Sequence, residues 1–492
     1  MTTGRVPTTA SGVAGPLIVS TVNPRYFTVA ADGPAVYLTG SHIWNNFHDG
    51  MGPGPDCAGT PEQLDYRAYL DFLTAHGHNL IRLWRWEHFR SLAAGGSFHL
   101  CMTPQPWPRT GPGTATDGRP RFDLSAFDEG YFDRLRTRVS AAGTAGIYVV
   151  VMLFEGFALH LTPPPLNVEG HPFHAANNVN DVAVASIVDY QVLPLDHRIQ
   201  ALQDAYVRKV VDTLHDLPNV LYEVANESSG VDADSVEFPD GSSIPTPIGD
   251  STAWQYRVID VVRRHEREQG YDPRPIGMTM QYPVPDQARV NDPLYAGPAD
   301  WISPGLEEAM PGEGSRWYAD PPAGDGRKVV ISDTDHYAAG NGDALWAWRS
   351  FLRGHHPILM DFGIISGVDP DPSSDAWSTY QAFEPARHAM GDTRRYAERM
   401  NLIGMRPRGD LSSTGYALVD PGREYLVLDP GGTPDPLTVT VDPGSYAVEW
   451  FAVGPRTTVR AGTLMVERPG PVPLVPPFEP TGPAVLYLRV EG

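Results

Sequence analysis

Between residues 35 and 400, short apolar runs alternate with amphipathic segments. The first run, AVYLTG (35–40), is followed by PEQLDYRAYLDFLTAHG (61–77), in which Leu64, Ala68, Phe72 and Ala75 recur at helical spacing. Pro61 suits a first helical turn behind Thr60 as N-cap, and Gly77 suits the stop. Further runs are NLIRLWRW (79–86), GIYVVVMLFE (146–155), NVLYEVANE (219–227), RPIGMTMQY (274–282), ADWISP (299–304), KVVISDTDH (328–336) and PILMDFG (357–363). Helical patterns fall around 128–143, 196–216, 251–269, 342–353 and 376–400, while no convincing helix separates the fifth and sixth runs. Runs of this kind alternating with helices predict an α/β chain folded as a (β/α)8 TIM barrel. A doubly wound open sheet is the alternative, but no glycine-rich phosphate loop follows the first run. GMGPGP (50–55) places prolines where the helix should begin.

After about residue 404 the pattern changes to short alternating segments: GYALVD, EYLVLD, LTVTVD, YAVEWFAV, GTLMVER and AVLYLRV, separated by turns such as DPGG and DPGS. These predict a C-terminal antiparallel β-sandwich domain over 405–492, behind a catalytic barrel over 1–404. NPRYF and AADGPAVYL, ahead of the barrel, read as a hairpin turning at ADG and covering the barrel bottom. A sandwich packed on the barrel is structural; a mobile one suggests targeting.

Composition narrows the function. Hydrophobic residues at 41% and aromatics at 10% exclude global disorder. Lys+Arg 37 against Asp+Glu 59 gives −22, a charge that repels nucleic acid and anionic membrane surfaces. Cys57 and Cys101 alone make neither a disulfide framework nor a four-ligand zinc site. The longest apolar stretch, IYVVVMLF (147–154), is too short to span a bilayer, and the first residues carry no apolar run of signal length. A soluble, cytoplasmic protein is expected.

In a TIM barrel the reactive groups sit at the C-terminal ends of the strands. Those ends carry His42, Trp44, Asn45 and Asn46; Arg82, Trp84, Trp86 and Glu87; Phe154 and Glu155; Asn226 and Glu227; Gln281 and Tyr282; Asp333, Asp335 and His336; and Asp361. Aromatics beside carboxylates and amides suit sugar rings. Strand alternation puts Leu221, Glu223, Ala225 and Glu227 on one face and turns Asn226 another way. Asp333 and Asp335 share a face of run seven, across the barrel mouth from run four. Glycoside hydrolysis needs two such carboxyl groups, so the expected catalytic residues are Glu227 with Asp333, or Asp335 in its place. Arg82, in a buried run, needs a carboxylate partner: Asp333, or Glu223 in a plain barrel ion pair. Glu87 and Glu155 read as substrate hydrogen-bonders or loop anchors, His355 and His356 as structural residues at the barrel bottom, and Trp346 and Trp348 as core. Trp44, Trp84 and Trp86 are the stacking candidates.

RYFTVAADGPAVYLTGSHIWNNFHDG, NLIRLWRWE, NVLYEVANES, KVVISDTDH and the C-terminal YAVEWFAV with PPFEPTGPAVLYL resemble the apiosidase-like glycoside hydrolases of the clan A (β/α)8 type, over about residues 20–490. Members of that group carry a small C-terminal β-sandwich often labelled collagen-binding. The resemblance implies Glu227 as proton donor beside Asn226, and Arg82 as support for the second carboxylate. The usual strand-seven Glu is replaced by Asp333, one methylene shorter, so retention and inversion both stay open. It further implies exo-acting cleavage of a small furanosidic, apiose-like glycoside without cofactor. Substrate contacts fall to His42, Asn46, Arg82, Trp84, Trp86, Glu155, Asn226, Tyr282 and His336. Two other readings are a carbohydrate- or protein-binding chain without activity, and a metal-dependent hydrolase built on Asp333, Asp335 and His336.

Overall fold

The computed structural model describes the chain except for residues 1–11, 52–56, 58–62, 93–98, 163, 231–234, 238–242, 246–248, 283–286, 306–308, 311–313, 337–341, 366, 433–435, 479–481 and 492. All eight predicted runs form strands of one parallel sheet: β1 (Gly40–His42), β2 (Leu80–Leu83), β3 (Tyr148–Glu155), β4 (Val220–Asn226), β5 (Ile276–Thr279), β6 (Trp301–Ser303), β7 (Val329–Asp333) and β8 (His356–Met360). Their order around the sheet is β1-β8-β7-β6-β5-β4-β3-β2. The ring closes where the Asn79 N–H donates to the Thr39 carbonyl at 2.9 Å. Gly40 permits that approach, because a Cβ there would meet the Leu80 carbonyl oxygen at 2.1 Å.

Seven longer helices lie between and after the strands: α1 (Tyr66–Ala75), α2 (Glu129–Thr144), α3 (His197–Leu214), α4 (Thr252–Gln269), α5 (Gln287–Ala296), α6 (Ala344–Leu352) and α7 (Ala376–Ala397). Two differ from the sequence reading. α1 starts at Tyr66 because Asp65 accepts from the Ala68 N–H at 2.9 Å and supplies the cap; Thr60 and Pro61 lie outside the described residues. α5 separates β5 from β6 where no helix was expected, and Pro293 inside it had masked the helical pattern.

The N-terminal hairpin forms as expected. Val36 N–H donates to Phe27 O at 2.7 Å and Gly33 N–H to Ala30 O at 2.9 Å. Val13, Leu17 and Phe27 then cover Leu80, Val150, Leu221, Val329, Ile331 and Ile358 at the barrel's N-terminal end. His356 opens β8 here and binds backbone at Leu38 and Arg25, while Trp346 and Trp348 are buried in α6.

The C-terminal strands are β9 (Arg406–Pro407), β10 (Ala417–Asp420), β11 (Glu424–Asp429), β12 (Leu437–Val441), β13 (Gly444–Ala452), β14 (Thr457–Val466), β15 (Gly470–Leu474) and β16 (Ala484–Val490). Six form an antiparallel sheet in the order β9-β10-β11-β16-β13-β14, and β12 pairs β15 above it. β15 escaped the sequence reading because Pro471 and Pro473 punctuate it; prolines are tolerated because it pairs on one side with β12 alone. Alternation gives the sheet two apolar faces. Val419, Val427, Trp450 and Leu486 meet Val439 and Val441 of β12. On the other face, Phe451 and Tyr487 pack on Trp348 and Tyr396 of the barrel helices, with ring centroids 5.9 Å apart in each pairing of Phe451 with Trp348 and Tyr487 with Tyr396. Glu449 accepts from Arg399 at 2.8 Å and from the Tyr396 hydroxyl at 2.9 Å. The sandwich is therefore docked on α6 and α7 through a shared core.

Candidate active site

At the mouth, Arg82 of β2 is the organising residue. Its Nε and Nη2 donate to the two Glu223 oxygens at 2.9 and 2.6 Å. Nη2 also reaches Asn226 Oδ1 at 2.8 Å, and Nη1 reaches Asp333 Oδ2 at 2.9 Å and Asp335 Oδ2 at 3.2 Å. Both partners weighed from the sequence, Glu223 and Asp333, are thus engaged at once. Burial alone pulls the guanidinium pKa down, but Glu223 and Asp333 outweigh it, so the cation is fixed.

Asp333 is wholly buried. His42 Nδ1 accepts from the Trp84 indole N–H at 2.8 Å, which places the imidazole proton on Nε2, and that nitrogen donates to Asp333 at 2.9 Å. Burial raises the Asp333 pKa, but His42 and Arg82 more than reverse this and hold the carboxyl well below the usual range. The backbone N–H of Asp335 also donates to Asp333 Oδ1 at 2.9 Å. β7 ends at Asp333, and Thr334–His336 makes one 3-10 turn. That turn, rather than strand alternation, brings Asp335 and His336 in beside Asp333. His336 Nδ1 meets Ser303 Oγ at 2.7 Å and Nε2 meets Asn226 Oδ1 at 3.3 Å. Burial lowers its pKa to about 3, so the ring is neutral.

Across the mouth, the expected facing of Asn226 is corrected: its Oδ1 turns inward to Arg82 and His336. Glu227 follows with φ +42°, a left-handed conformation uncommon outside glycine, which breaks the alternation there. His160 Nε2 binds the Glu227 carbonyl at 3.0 Å and steadies this turn. Sequence reasoning missed His160 and Ser303, since neither touches the mouth with its own chemistry. Glu227 is 8% exposed and the Asp335 side chain 11%. Glu227 Oε2 and Asn226 Nδ2 are buried with no protein hydrogen-bond partner. Burial, then Asp335 and Glu155, push the Glu227 pKa well up. Asp335 rises to about 6, through burial and the Asp333 charge, with Arg82 offsetting part of the rise. Glu227 therefore holds a proton while Asp335 is the first of the two to ionise.

The remaining predicted residues divide. Tyr282 is half-buried, and burial and Glu227 both raise its pKa, which places it near the acid. Glu155 is buried with Oε2 unpartnered, and burial and Glu87 raise its pKa. Glu87 is a loop anchor, accepting from the Tyr190 hydroxyl at 2.5 Å and the Glu155 N–H at 2.8 Å. Asn46 is a correction: its Nδ2 donates to Arg82 O and its Oδ1 accepts from Trp84 N, so its amide straps β2 rather than facing the mouth. Trp84 and Trp86 stack on each other at 5.5 Å and are buried, leaving half-buried Trp44, edge-on to both, as the most accessible ring. The arrangement expected of a metal centre at Asp333, Asp335 and His336 is also corrected, because the Arg82 cation already occupies the space between the two carboxylates.

A buried carboxyl with a raised pKa opposes folding. Between the unfolded value near 4.3 and the raised folded value, only the unfolded chain ionises, which costs about 1.4 kcal/mol per pH unit. Glu227→Gln removes that cost. Its melting temperature at pH 7 is expected to exceed that of the native chain, with the gap closing below about pH 4; a lower melting temperature at pH 7 would contradict the raised pKa.

No protein-family model and no curated protein matches the chain. Among solved structures, one described as a glycoside hydrolase superposes with a TM-score of 0.57 at 12% identity, covering 99% of both chains. A family 5 glycoside hydrolase from Bacteroides vulgatus gives 0.56 at 12% identity, covering 99% of this chain and 96% of its own. A second glycoside hydrolase from that organism gives 0.55 at 12%, covering 97% of this chain and 82% of its own. The barrel and the docked sandwich together are thus a known architecture.

Proposed function

We propose that the chain is a glycoside hydrolase in which Glu227 is the general acid and Asp335 the second carboxylate. The observation that carries this reading is the pair of unpartnered buried atoms, Glu227 Oε2 and Asn226 Nδ2, facing a mouth shared with Asp335. A sugar hydroxyl and a glycosidic oxygen supply the missing acceptor and donor. Glu227 protonates the departing oxygen. Asp335, ionised and steered by Arg82, attacks the anomeric carbon or activates water, and burial of both groups favours the division of labour. Asp333 serves as the fixed anion that orients Arg82 and His42, since its oxygens are bonded to His42, Arg82 and the Asp335 backbone. The resemblance of SHIWNN, ANE and DTDH supports a furanosidic, apiose-like sugar cleaved from the end of a small glycoside. The Cys57–Cys101 disulfide, which the sequence reading left unpaired, favours an oxidising compartment over the cytoplasm.

The test is a panel of nitrophenyl furanosides and pyranosides followed by NMR. Turnover is expected on at least one furanoside, with the first-formed anomer assigning retention or inversion. Saturable sugar binding without hydrolysis of the bound glycoside would instead make the chain a binding protein.

A further inference from the structure

Far from the mouth, the end of α1 is pressed against the middle of α7. A Cβ on Gly391 would meet the His76 carbonyl oxygen at 2.0 Å, so the glycine allows His76 to sit directly on α7. Glu384 and His388 lie one turn apart on α7 and project from one face. His76 Nε2 and His388 Nε2 each stand 3.1 Å from Glu384 Oε1. The three ligand atoms lie within 4.8 Å of one another, and no other cluster of this kind occurs among the described residues.

Three surrounding features prepare these atoms for a cation. His76 Nδ1 donates to the Phe72 carbonyl at 2.9 Å, fixing the ring and leaving Nε2 as the ligand atom. Arg387 Nη1 binds Glu384 Oε2 at 2.9 Å, which leaves Oε1 directed at the imidazoles. His76 and Arg387 hold the Glu384 pKa down to about 2, although burial acts the other way, so the carboxylate is charged. Beside the trio lies a cavity of about 440 Å³ bounded by Trp377, Tyr380, Val453 and Arg456, with room for a water ligand.

We propose that His76, Glu384 and His388 bind one divalent metal ion of the zinc class. Two imidazoles and one carboxylate select a borderline ion over calcium or magnesium, and the cavity leaves the fourth position open to water. As the side chains stand, the His76–Glu384 contact carries a proton on Nε2, and the ion displaces that proton to solvent. His388 Nδ1 accepts from Arg456 Nη1 at 3.0 Å, so on metal binding the His388 proton moves from Nε2 to Nδ1 and Arg456 withdraws. Arg456 keeps its bond from Nε to Asp392 at 2.8 Å. The ion clamps the first barrel helix to the last and plays no part in the proposed glycosidase chemistry.

Chelator-treated, untagged full-length chain titrated calorimetrically with zinc chloride tests this. One ion per chain is expected, with affinity falling at least about tenfold in His76→Gln and His388→Gln. Arg456→Gln, whose amide oxygen can accept the relocated proton, is expected to bind zinc more tightly and serves if either histidine variant fails to fold. Cobalt chloride should give the visible bands of a low-coordinate site that vanish in Glu384→Gln. Absence of binding, or equal affinity in native chain, His388→Gln and Arg456→Gln, would overturn the proposal.

Discussion

Replacing Glu227 by glutamine is expected to lower turnover by about 10²–10⁴-fold, the usual contribution of a positioned general acid. The amide keeps the shape and the hydrogen bond but has no proton to give. The loss should depend on the leaving group. Alkyl glycosides, whose departing alkoxide needs a proton, should suffer most, and dinitrophenyl glycosides least. The pH profile should change too. In the native enzyme, activity falls as Glu227 loses its proton on the alkaline side and as Asp335, raised to about 6, gains one on the acid side. Glu227→Gln should lose the alkaline limb and keep the acid one. A uniform loss across leaving groups with both limbs intact would remove Glu227 from the role of acid.

Arg82→Met is expected to destabilise the chain by about 3–5 kcal/mol, the cost of leaving buried charges uncompensated. Its guanidinium is the shared partner of Glu223 and Asp333, both fully buried, and of Asp335. Methionine approximates the stem and removes the charge. Arg82→Lys should not rescue, since one ammonium cannot reproduce the paired bonds to Glu223 and the reach to Asn226. The sign with pH is fixed by Asp333. Its depressed folded pKa contributes stability above its unfolded value near 3.9, which is lost as the pH falls through the folded value. The difference between native and Arg82→Met in denaturant melts should therefore shrink in acid. A difference below about 1 kcal/mol at neutral pH would mean that the network is solvated like a surface pair.

The strands were legible because barrel strands buried on both faces read as continuous apolar runs, as in YVVVMLFE and VLYEVAN. Their ends were legible as chemistry because Arg82, Asn226, Glu227 and Asp333 interrupt those runs with groups too costly to bury unpaired. What the sequence could not convey was orientation. Period-two reasoning fails where Glu227 goes left-handed and where Thr334–His336 turns as a 3-10 helix, so it misplaced Asn226 and left Asp333 and Asp335 equivalent. The stacking surface was misjudged for a similar reason: whether Trp84 or Trp44 is covered depends on loops distant in sequence. The His76, Glu384 and His388 cluster had no signature beyond an i,i+4 pair, because its third member comes from α1, more than three hundred residues earlier in the chain.

The division of roles between Asp335 and Asp333 is open to a direct measurement. In Asp335→Gly the lost carboxylate leaves space at the mouth, where added azide can reach the anomeric carbon and form the new bond while Glu227 protonates the leaving group. The expected result on a hydrolysed glycoside is turnover lost in Asp335→Gly, restored by azide, with a glycosyl azide as product. Native-like turnover of Asp335→Gly without azide, or azide rescue in Asp333→Gly alone, would contradict the account.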